Sequence, residues 1–146
     1  MKIRSVNHYN FTVQDLDKSI EFYTKILRMK LLDSSTRDPE FAQKAIGQSG
    51  ISIRVCYLKG NGFRIELIEY KNPEKVFLRS GDEITYGHLC LNILGLREFY
   101  ENYKDKINFV SEPLRIPSGP NKNGYMVYFF DPDGNKIELI EGNAKN

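Results

Sequence analysis

The sequence contains one pattern twice, and this internal repeat limits the possible folds more than any other feature. At an offset of 80 residues, six apolar or aromatic positions near the N-terminus coincide with six later ones: Phe11, Val13, Leu16, Ile20, Tyr23 and Leu27 with Leu91, Ile93, Leu96, Tyr100, Tyr103 and Ile107. At an offset of 72, residues 53–58 coincide with 125–130, and residues 62–69 with 134–141. Self-similarity at a fixed offset is typical of one structural unit used more than once. The chain is therefore predicted to contain two copies of one module.

Each copy predicts a strand, then a helix, then two or three further strands. The first strand follows from alternating apolar and polar residues, and the helix from apolar residues three and four positions apart. Because a sheet covered by its own helix leaves its other face unfilled, the two copies are expected to form a curled sheet around a shared cavity. The predicted fold class is α+β, with residues 1–70 as the first module, 71–85 as a linker and 86–146 as the second module.

Helix boundaries are marked in two places in the first copy. Either Asp15 or Asp17 can cap the helix that follows the first strand. The two offsets differ by eight residues, which indicates an insertion between positions 28 and 52. There, Asp38 as cap, Pro39 at the first helical position and Gly47 after the last one predict a short extra helix.

Composition excludes several classes of partner. Lys and Arg total 21 against 19 Asp and Glu, so a net charge of +2 provides no broad field for nucleic acid or an anionic membrane. There is no apolar stretch of signal-peptide or membrane-spanning length, so the protein is expected in the cytoplasm. Cys56 and Cys90 lie in apolar strand runs without metal-binding spacing and are expected to be small buried thiols.

Two histidines and two glutamates occupy equivalent positions of the repeat. His8 and His88 are 80 residues apart, and Glu66 and Glu138 are 72 apart. Strand alternation points all four away from the helix-facing residues, toward the cavity. Inward-facing carboxylates need a cation, and two imidazoles with two carboxylates suit Zn²⁺, Ni²⁺, Co²⁺, Mn²⁺ or Fe²⁺. The glutamates three residues further along, at the strand ends, are expected to face water: Glu69 and Glu141.

Several motifs resemble the vicinal oxygen chelate superfamily, which includes glyoxalases, bleomycin resistance proteins and dioxygenases. The motifs are Asn7-His8, Asp15-Leu16-Asp17, Phe22-Tyr23, Gly87-His88 and Asp131-Pro132-Asp133-Gly134-Asn135. Within the superfamily, residues 22–32 resemble bacterial glyoxalase I, also called lactoylglutathione lyase. The resemblance implies paired βαβββ modules and one divalent metal ion per site, with these ligands: His8, Glu66, His88 and Glu138.

A glyoxalase I-like enzyme converts the hemithioacetal of methylglyoxal and a thiol, such as glutathione, into a thioester through an enediolate. On this interpretation Glu138 is the mobile base, and Glu66 holds the metal or acts on the other stereoisomer. Members similar to this chain are commonly homodimers, and a homodimer is expected here. Four arginines are candidates for binding substrate carboxylates: Arg37, Arg54, Arg64 and Arg115.

Other members of the superfamily provide alternative functions. Extradiol dioxygenases need a further histidine as acid and base, and this chain has only two. Methylmalonyl-CoA epimerase has a similar length and module plan but typically has glutamine where Glu66 stands. Thiol transferases that open the epoxide of fosfomycin use three ligands, and the second position is not one of them. A drug-binding resistance protein would use the same cavity without metal, which the retained set of four ligand types disfavours.

Overall fold

The computed structural model describes residues 5–71 and 87–142. The chain divides into two compact units, Met1–Leu78 and Arg79–Asn146. The elements of the first unit are β1 (Tyr9–Val13), α1 (Leu16–Lys25), β2 (Lys30–Thr36), α2 (Pro39–Ile46), β3 (Ser52–Lys59) and β4 (Arg64–Lys71). The elements of the second unit are β5 (Leu89–Asn92), α3 (Leu96–Tyr103), β6 (Asn108–Phe109), β7 (Leu114–Arg115), β8 (Tyr125–Phe130) and β9 (Lys136–Glu141).

Both units have the same sheet topology. The first sheet has the order β1-β4-β3-β2, and the second has the order β5-β9-β8-β6 with β7 also paired to β8. In the first sheet β1 runs parallel to β4, and in the second β5 runs parallel to β9. The other neighbouring strands are antiparallel. The predicted α+β class with two βαβββ modules is therefore confirmed. The predicted linker, except for Lys71 at the end of β4, lies outside the described residues, so the domain boundaries stay a prediction.

The helix of each module is capped in a different way. In the first, the Asp15 carboxylate accepts the backbone N–H of Lys18 at 3.1 Å, as one of the two predicted caps. In the second, Gly95 precedes α3 without a side-chain cap of its own. Instead, Glu141 at the end of β9 accepts the N–H groups of Gly95 at 2.6 Å and Leu96 at 3.3 Å. The prediction that Glu141 faces water is wrong because the exposed helix N–H groups bind it.

One face of each sheet forms the core beneath its helix. In the first module the fully buried side chains of this core include Leu16 and Tyr23 from α1. In the second module Leu96 from α3 is fully buried, and so are Val127, Phe129 and Ile137 from the sheet. These positions are the apolar members of the predicted alternation. The polar members of the same strands therefore point to the opposite face, which is where the candidate site lies.

The inserted segment forms the predicted extra helix, α2. Asp38 accepts the N–H of Phe41 at 2.8 Å, Pro39 is the first helical residue, and Gly47 ends the helix with φ of 76°. Ala42 of α2 is completely buried in a cluster with Ile51, Ile53 and Val55 and with partly buried Ile68 and Tyr70. Since Ile68 alternates in phase with Glu66 along β4, α2 covers part of the face that carries Glu66.

Candidate functional site

The first module brings one histidine and one glutamate together. His8 Nε2 lies 3.3 Å from Glu66 Oε2, and the Glu66 side chain is 13% exposed. His8 Nδ1 lies 2.9 Å from Asn7 Oδ1. Because that amide oxygen only accepts, Nδ1–H can donate to it, and the neutral tautomer that fits this contact has Nε2 available to bind a cation. A neutral histidine in this tautomer is the form that binds a metal through Nε2.

Strand register explains which other side chains meet Glu66. Asn10 on parallel β1 and Tyr57 on antiparallel β3 are both direct register partners of Glu66. Asn10 Nδ2 donates to Glu66 Oε2 at 3.3 Å. The Tyr57 hydroxyl donates a short hydrogen bond to Oε1, the other carboxylate oxygen. One oxygen of Glu66 is thus occupied by a phenol, while the other faces the imidazole.

The second module repeats this arrangement with one change. His88 Nε2 lies 2.8 Å from Glu138 Oε2, and the Glu138 side chain is again 13% exposed. Tyr128 on β8 and Cys90 on β5 are the register partners of Glu138. The ring of His88 lies edge-on to Tyr128 with centroids 5.2 Å apart. In the first module the rings of His8 and Tyr57 are also edge-on, with centroids 5.6 Å apart. Cys90 therefore takes the place that Asn10 has in the first module.

The two tyrosines were missed by the sequence comparison. At the offset of 72 residues Tyr57 coincides with Phe129, but the register places Tyr128 opposite the second glutamate. The cause is the hairpin turn, which has four residues between Lys59 and Arg64 and five residues, 131–135, in the second module. The difference in turn length can be read from the sequence and was the signal that could have revealed this shift. The repeated unit is therefore a histidine, a tyrosine and a glutamate.

Electrostatic effects keep the phenols of this face protonated. The hydrogen bond to Glu66 raises the pKa of Tyr57, with further contributions from partial burial and from the Glu66 charge, whereas Arg37 acts in the opposite direction. Burial raises the pKa of Tyr128, and the charge of Glu138 adds to it. Both groups therefore remain hydrogen-bond donors at neutral pH.

The two cysteines differ in environment. Cys56 is buried as predicted, while Cys90 is exposed, so that prediction is wrong for Cys90. The reason is that β5 is at one end of the described sheet and Cys90 lies on the face opposite α3. Although the residue is exposed overall, burial of its thiol and contact with Glu138 raise the pKa of Cys90 to about 11. Such a thiol is a poor nucleophile at neutral pH.

The prediction that Glu69 faces water is also wrong. Its side chain is only 3% exposed, and Arg54 Nη1 lies 3.0 Å from Glu69 Oε2. Arg54 also contacts Asp17 of α1 at 3.0 Å, and Lys71 forms a further short ion pair with Glu69. Glu69 alternates with Glu66 so that it faces α1, where these cations compensate its burial.

The four candidate substrate arginines lie in different surroundings. Arg54 is held by Asp17 and Glu69 on the α1 side of the sheet. Arg64 donates to the Asn7 carbonyl at 3.3 Å, and Arg115 to Asn123 Oδ1 at 2.9 Å. Arg37 alone among the four lies against the tyrosine of the site.

Arg37 lies in the short connection between β2 and α2. Its guanidinium carbon is 5.9 Å from the centroid of the Tyr57 ring. Its Nη1 donates to Ser35 Oγ at 3.1 Å, and Ser35 in turn donates to Asp33 at 3.2 Å. Arg37 takes part in none of the ion pairs recorded among residues 5–71 and 87–142. Its positive charge is therefore balanced less directly than that of Arg54.

Within each module, the spacing of the two donor atoms fits a divalent metal. Two ligand atoms bound to one ion at about 2.0–2.2 Å lie roughly 3 Å apart. The separations of 3.3 Å and 2.8 Å between imidazole nitrogen and carboxylate oxygen match that requirement. Within the part of the chain that the structure describes, no cluster of three or more His, Cys, Asp or Glu residues suited to a metal occurs. Each module thus presents a ligand pair with borderline nitrogen and hard oxygen donors.

Two βαβββ modules define a duplicated α+β architecture in which each module has its own histidine–glutamate pair on one face of its sheet. The chain matches the Glyoxalase/Bleomycin resistance protein/Dioxygenase superfamily over residues 5–139 and belongs to it. The predicted resemblance is confirmed. Across the described residues, none of the helices has the length and apolar character required to cross a membrane.

Metallothiol transferases and lactoylglutathione lyases are among the proteins similar to this chain. The chain is 33% identical to the metallothiol transferase FosB of Staphylococcus epidermidis, over 100% of this chain and 87% of FosB. It is 34% identical to a probable lactoylglutathione lyase of Synechocystis, over 94% of this chain and 95% of that protein. It is also 34% identical to the lactoylglutathione lyase of Escherichia coli O157:H7, over 92% and 90% of the two chains.

Solved structures show the same fold. A glyoxalase family protein from Bacillus cereus superimposes with a TM-score of 0.81 at 18% identity, covering 97% of this chain and 96% of the other. A glyoxalase I mutant from Zea mays superimposes with a TM-score of 0.65 at 26% identity, covering 92% of this chain and 44% of the maize chain.

Proposed function

We propose that the protein is a metal-dependent lyase or isomerase of the glyoxalase I kind, acting on the hemithioacetal of methylglyoxal and a thiol. His8, Glu66, His88 and Glu138 supply the ligands for one divalent ion. The observation that carries the proposal is the equal pairing in both modules, where each histidine faces a glutamate through Nε2 and Oε2. The lactoylglutathione lyases at 34% identity support this reaction class.

The bound ion would supply Lewis-acid polarisation of the two neighbouring substrate oxygens. Glu138 accepts the proton from the carbon that bears the thiol and returns it to the adjacent carbon. The hydroxyl proton moves from the first oxygen to the second, so that the product thioester is an isomer of the substrate. Tyr128 is the register partner of Glu138, and its raised pKa keeps the phenol protonated beside the carboxylate. The 13% exposure of the Glu138 side chain keeps most water away from the carboxylate.

A second function is favoured by one specific observation. The metallothiol transferase FosB matches over the full length of this chain. A thiol transferase adds a thiol to an electrophilic substrate and needs three metal ligands rather than four. Glu66 therefore separates the two functions: it is a ligand in the lyase and has another role in the transferase.

Metal reconstitution tests the proposal directly. Metal-free protein would receive Zn²⁺, Ni²⁺, Co²⁺, Mn²⁺ or Fe²⁺ in turn, and bound metal per chain would be measured. Each sample would then be assayed with methylglyoxal and glutathione for thioester, and with fosfomycin and either glutathione or cysteine for the thiol adduct. One metal per chain together with thioester formation supports the lyase. Adduct formation without thioester would replace it with the transferase, and absence of metal binding would refute both.

We propose that Arg37 binds an anionic group of the substrate, since it lies against Tyr57 on the Glu66 side of the sheet. Losing a hydrogen bond to a charged group costs about 1.5–3 kcal/mol, which corresponds to roughly 10- to 100-fold. Arg37→Met is therefore expected to raise KM by that factor with little change in kcat. Steady-state kinetics of the reconstituted enzyme measure this effect.

The matched control for Arg37 is Arg97→Met, because Arg97 of α3 lies against Tyr125 on the opposite side of its sheet from the glutamate, with its guanidinium carbon 5.0 Å from the ring centroid. Its KM is expected to stay within twofold of wild type. Equal KM values for Arg37→Met and wild type would remove Arg37 from the substrate site. We also propose that the protein is a homodimer and lies in the cytoplasm.

A further inference from the structure

Both modules place a tyrosine directly opposite the glutamate of the site. Tyr57 and Glu66 are register partners in the first sheet, and Tyr128 and Glu138 are register partners in the second. In both, the tyrosine ring also lies edge-on to the histidine of the same module, at 5.6 Å and 5.2 Å between centroids. The longer turn of the second hairpin compensates for the extra residue between its tyrosine and its glutamate, so the arrangement occurs in both modules.

The hydroxyl of Tyr57 fixes one oxygen of its glutamate. It donates to Glu66 Oε1, while His8 Nε2 approaches Oε2 of the same carboxylate. A carboxylate rotates freely about its last bond unless both oxygens are held. The phenol therefore selects the rotation in which Oε2 points toward the imidazole, and a conformation fixed before binding lowers the cost of ordering.

We propose that Tyr57 and Tyr128 are positioning residues, which hold Glu66 and Glu138 in the orientation that binds the divalent metal. The inference rests on the proposed function, since it requires that these glutamates bind a metal. Groups that orient ligands in this way typically change metal affinity by about 10- to 100-fold when removed. The tyrosines act through the carboxylates and need no contact with the substrate.

A tyrosine-to-phenylalanine substitution isolates this role. It removes only the hydroxyl and keeps the ring that packs edge-on to the histidine. The tyrosines are only partly buried, and the core beneath the helices is formed by other side chains. The substitution should therefore leave the fold intact while it frees the carboxylate.

Suitable controls lie on the opposite faces of the same sheets. Tyr9 on β1 contacts Phe11, with ring centroids 5.0 Å apart, beneath α1. Tyr125 on β8 lies 5.0 Å from the guanidinium carbon of Arg97 in α3. Tyr9→Phe and Tyr125→Phe thus remove the same atom from tyrosines that do not face the glutamates.

The test measures Zn²⁺ affinity of the full chain by competition with a chromogenic chelator. Tyr57→Phe and Tyr128→Phe are each expected to weaken binding by about 10- to 100-fold, with unchanged Tm in the metal-free state. The two control variants should bind Zn²⁺ within twofold of wild type. The visible spectrum of the Co²⁺-substituted protein should change in the Tyr57 and Tyr128 variants only, because it reports on ligand geometry.

The outcomes separate this inference from the proposed function. If wild type binds Zn²⁺ in a one-to-one ratio and the Tyr57 and Tyr128 variants match it in affinity and in Co²⁺ spectrum, the positioning role is refuted and the metal site stands. If wild type binds no Zn²⁺, Co²⁺ or other divalent ion, the metal site and the positioning role are refuted together.

Discussion

Glu138→Gln is expected to reduce metal-dependent turnover by a factor on the order of 10²–10⁴, the range that a positioned general base contributes. Glutamine keeps the size of the side chain but is a far weaker base and a weaker metal ligand. His88 would lose its charged partner at 2.8 Å. The change is measured as kcat of the protein loaded with the most active metal, at equal metal content.

Glu66→Gln is the informative partner of this variant. If four ligands hold the ion, both substitutions should weaken metal affinity, and only Glu138→Gln should remove nearly all proton transfer for one stereoisomer. Glu112→Gln serves as a control, because Glu112 is exposed. Unchanged metal affinity in Glu66→Gln would indicate three ligands and favour the thiol transferase. Full turnover in Glu138→Gln would refute its role as base.

Sequence periodicity was sufficient for the architecture of each module. Alternation placed Phe11 and Val13 beneath α1, where both are buried, and so predicted the opposite direction for His8. Asp38, Pro39 and Gly47 marked the extra helix because capping depends on nearby residues along the chain. These features are local, and the repeat supplied the one long-range relation, between the histidine and the glutamate of each module.

The parts that the sequence did not predict depend on pairing across strands. Tyr57 lies nine residues before Glu66 and Tyr128 ten residues before Glu138, and both pairs come into register because the second hairpin turn is one residue longer. Glu69 looked like a strand-end residue, but Arg54, fifteen residues earlier, neutralises it across the sheet. Glu141 binds the N–H groups of Gly95 and Leu96, which are 46 and 45 residues away. No periodic pattern encodes such contacts, since they depend on the register that the folded sheet adopts.

Phe129→Ala is expected to lower the free energy of unfolding by about 3–5 kcal/mol, the usual cost of removing a large buried aromatic side chain. Phe129 is completely buried. Its ring centroid lies 6.2 Å from that of Phe99 in α3 and 5.7 Å from that of Phe109 in β6. Truncation would leave a cavity between helix and sheet that these rings cannot fill. Urea unfolding followed by circular dichroism measures the change.

Together with Tyr128, the residue before it, Phe129 tests the register between β8 and β9. If residues 53–58 and 125–130 were equivalent at an offset of 72, Phe129 would lie opposite Glu138 and Tyr128 would belong to the core. Phe129→Ala would then cost little stability, and Tyr128→Phe would not affect metal affinity. The structure reverses both expectations, since Tyr128 is the register partner of Glu138 and Phe129 is the partner of buried Ile137. A loss below about 1 kcal/mol for Phe129→Ala, far less than a buried phenylalanine contributes, would contradict the register and with it the assignment of tyrosine to the site.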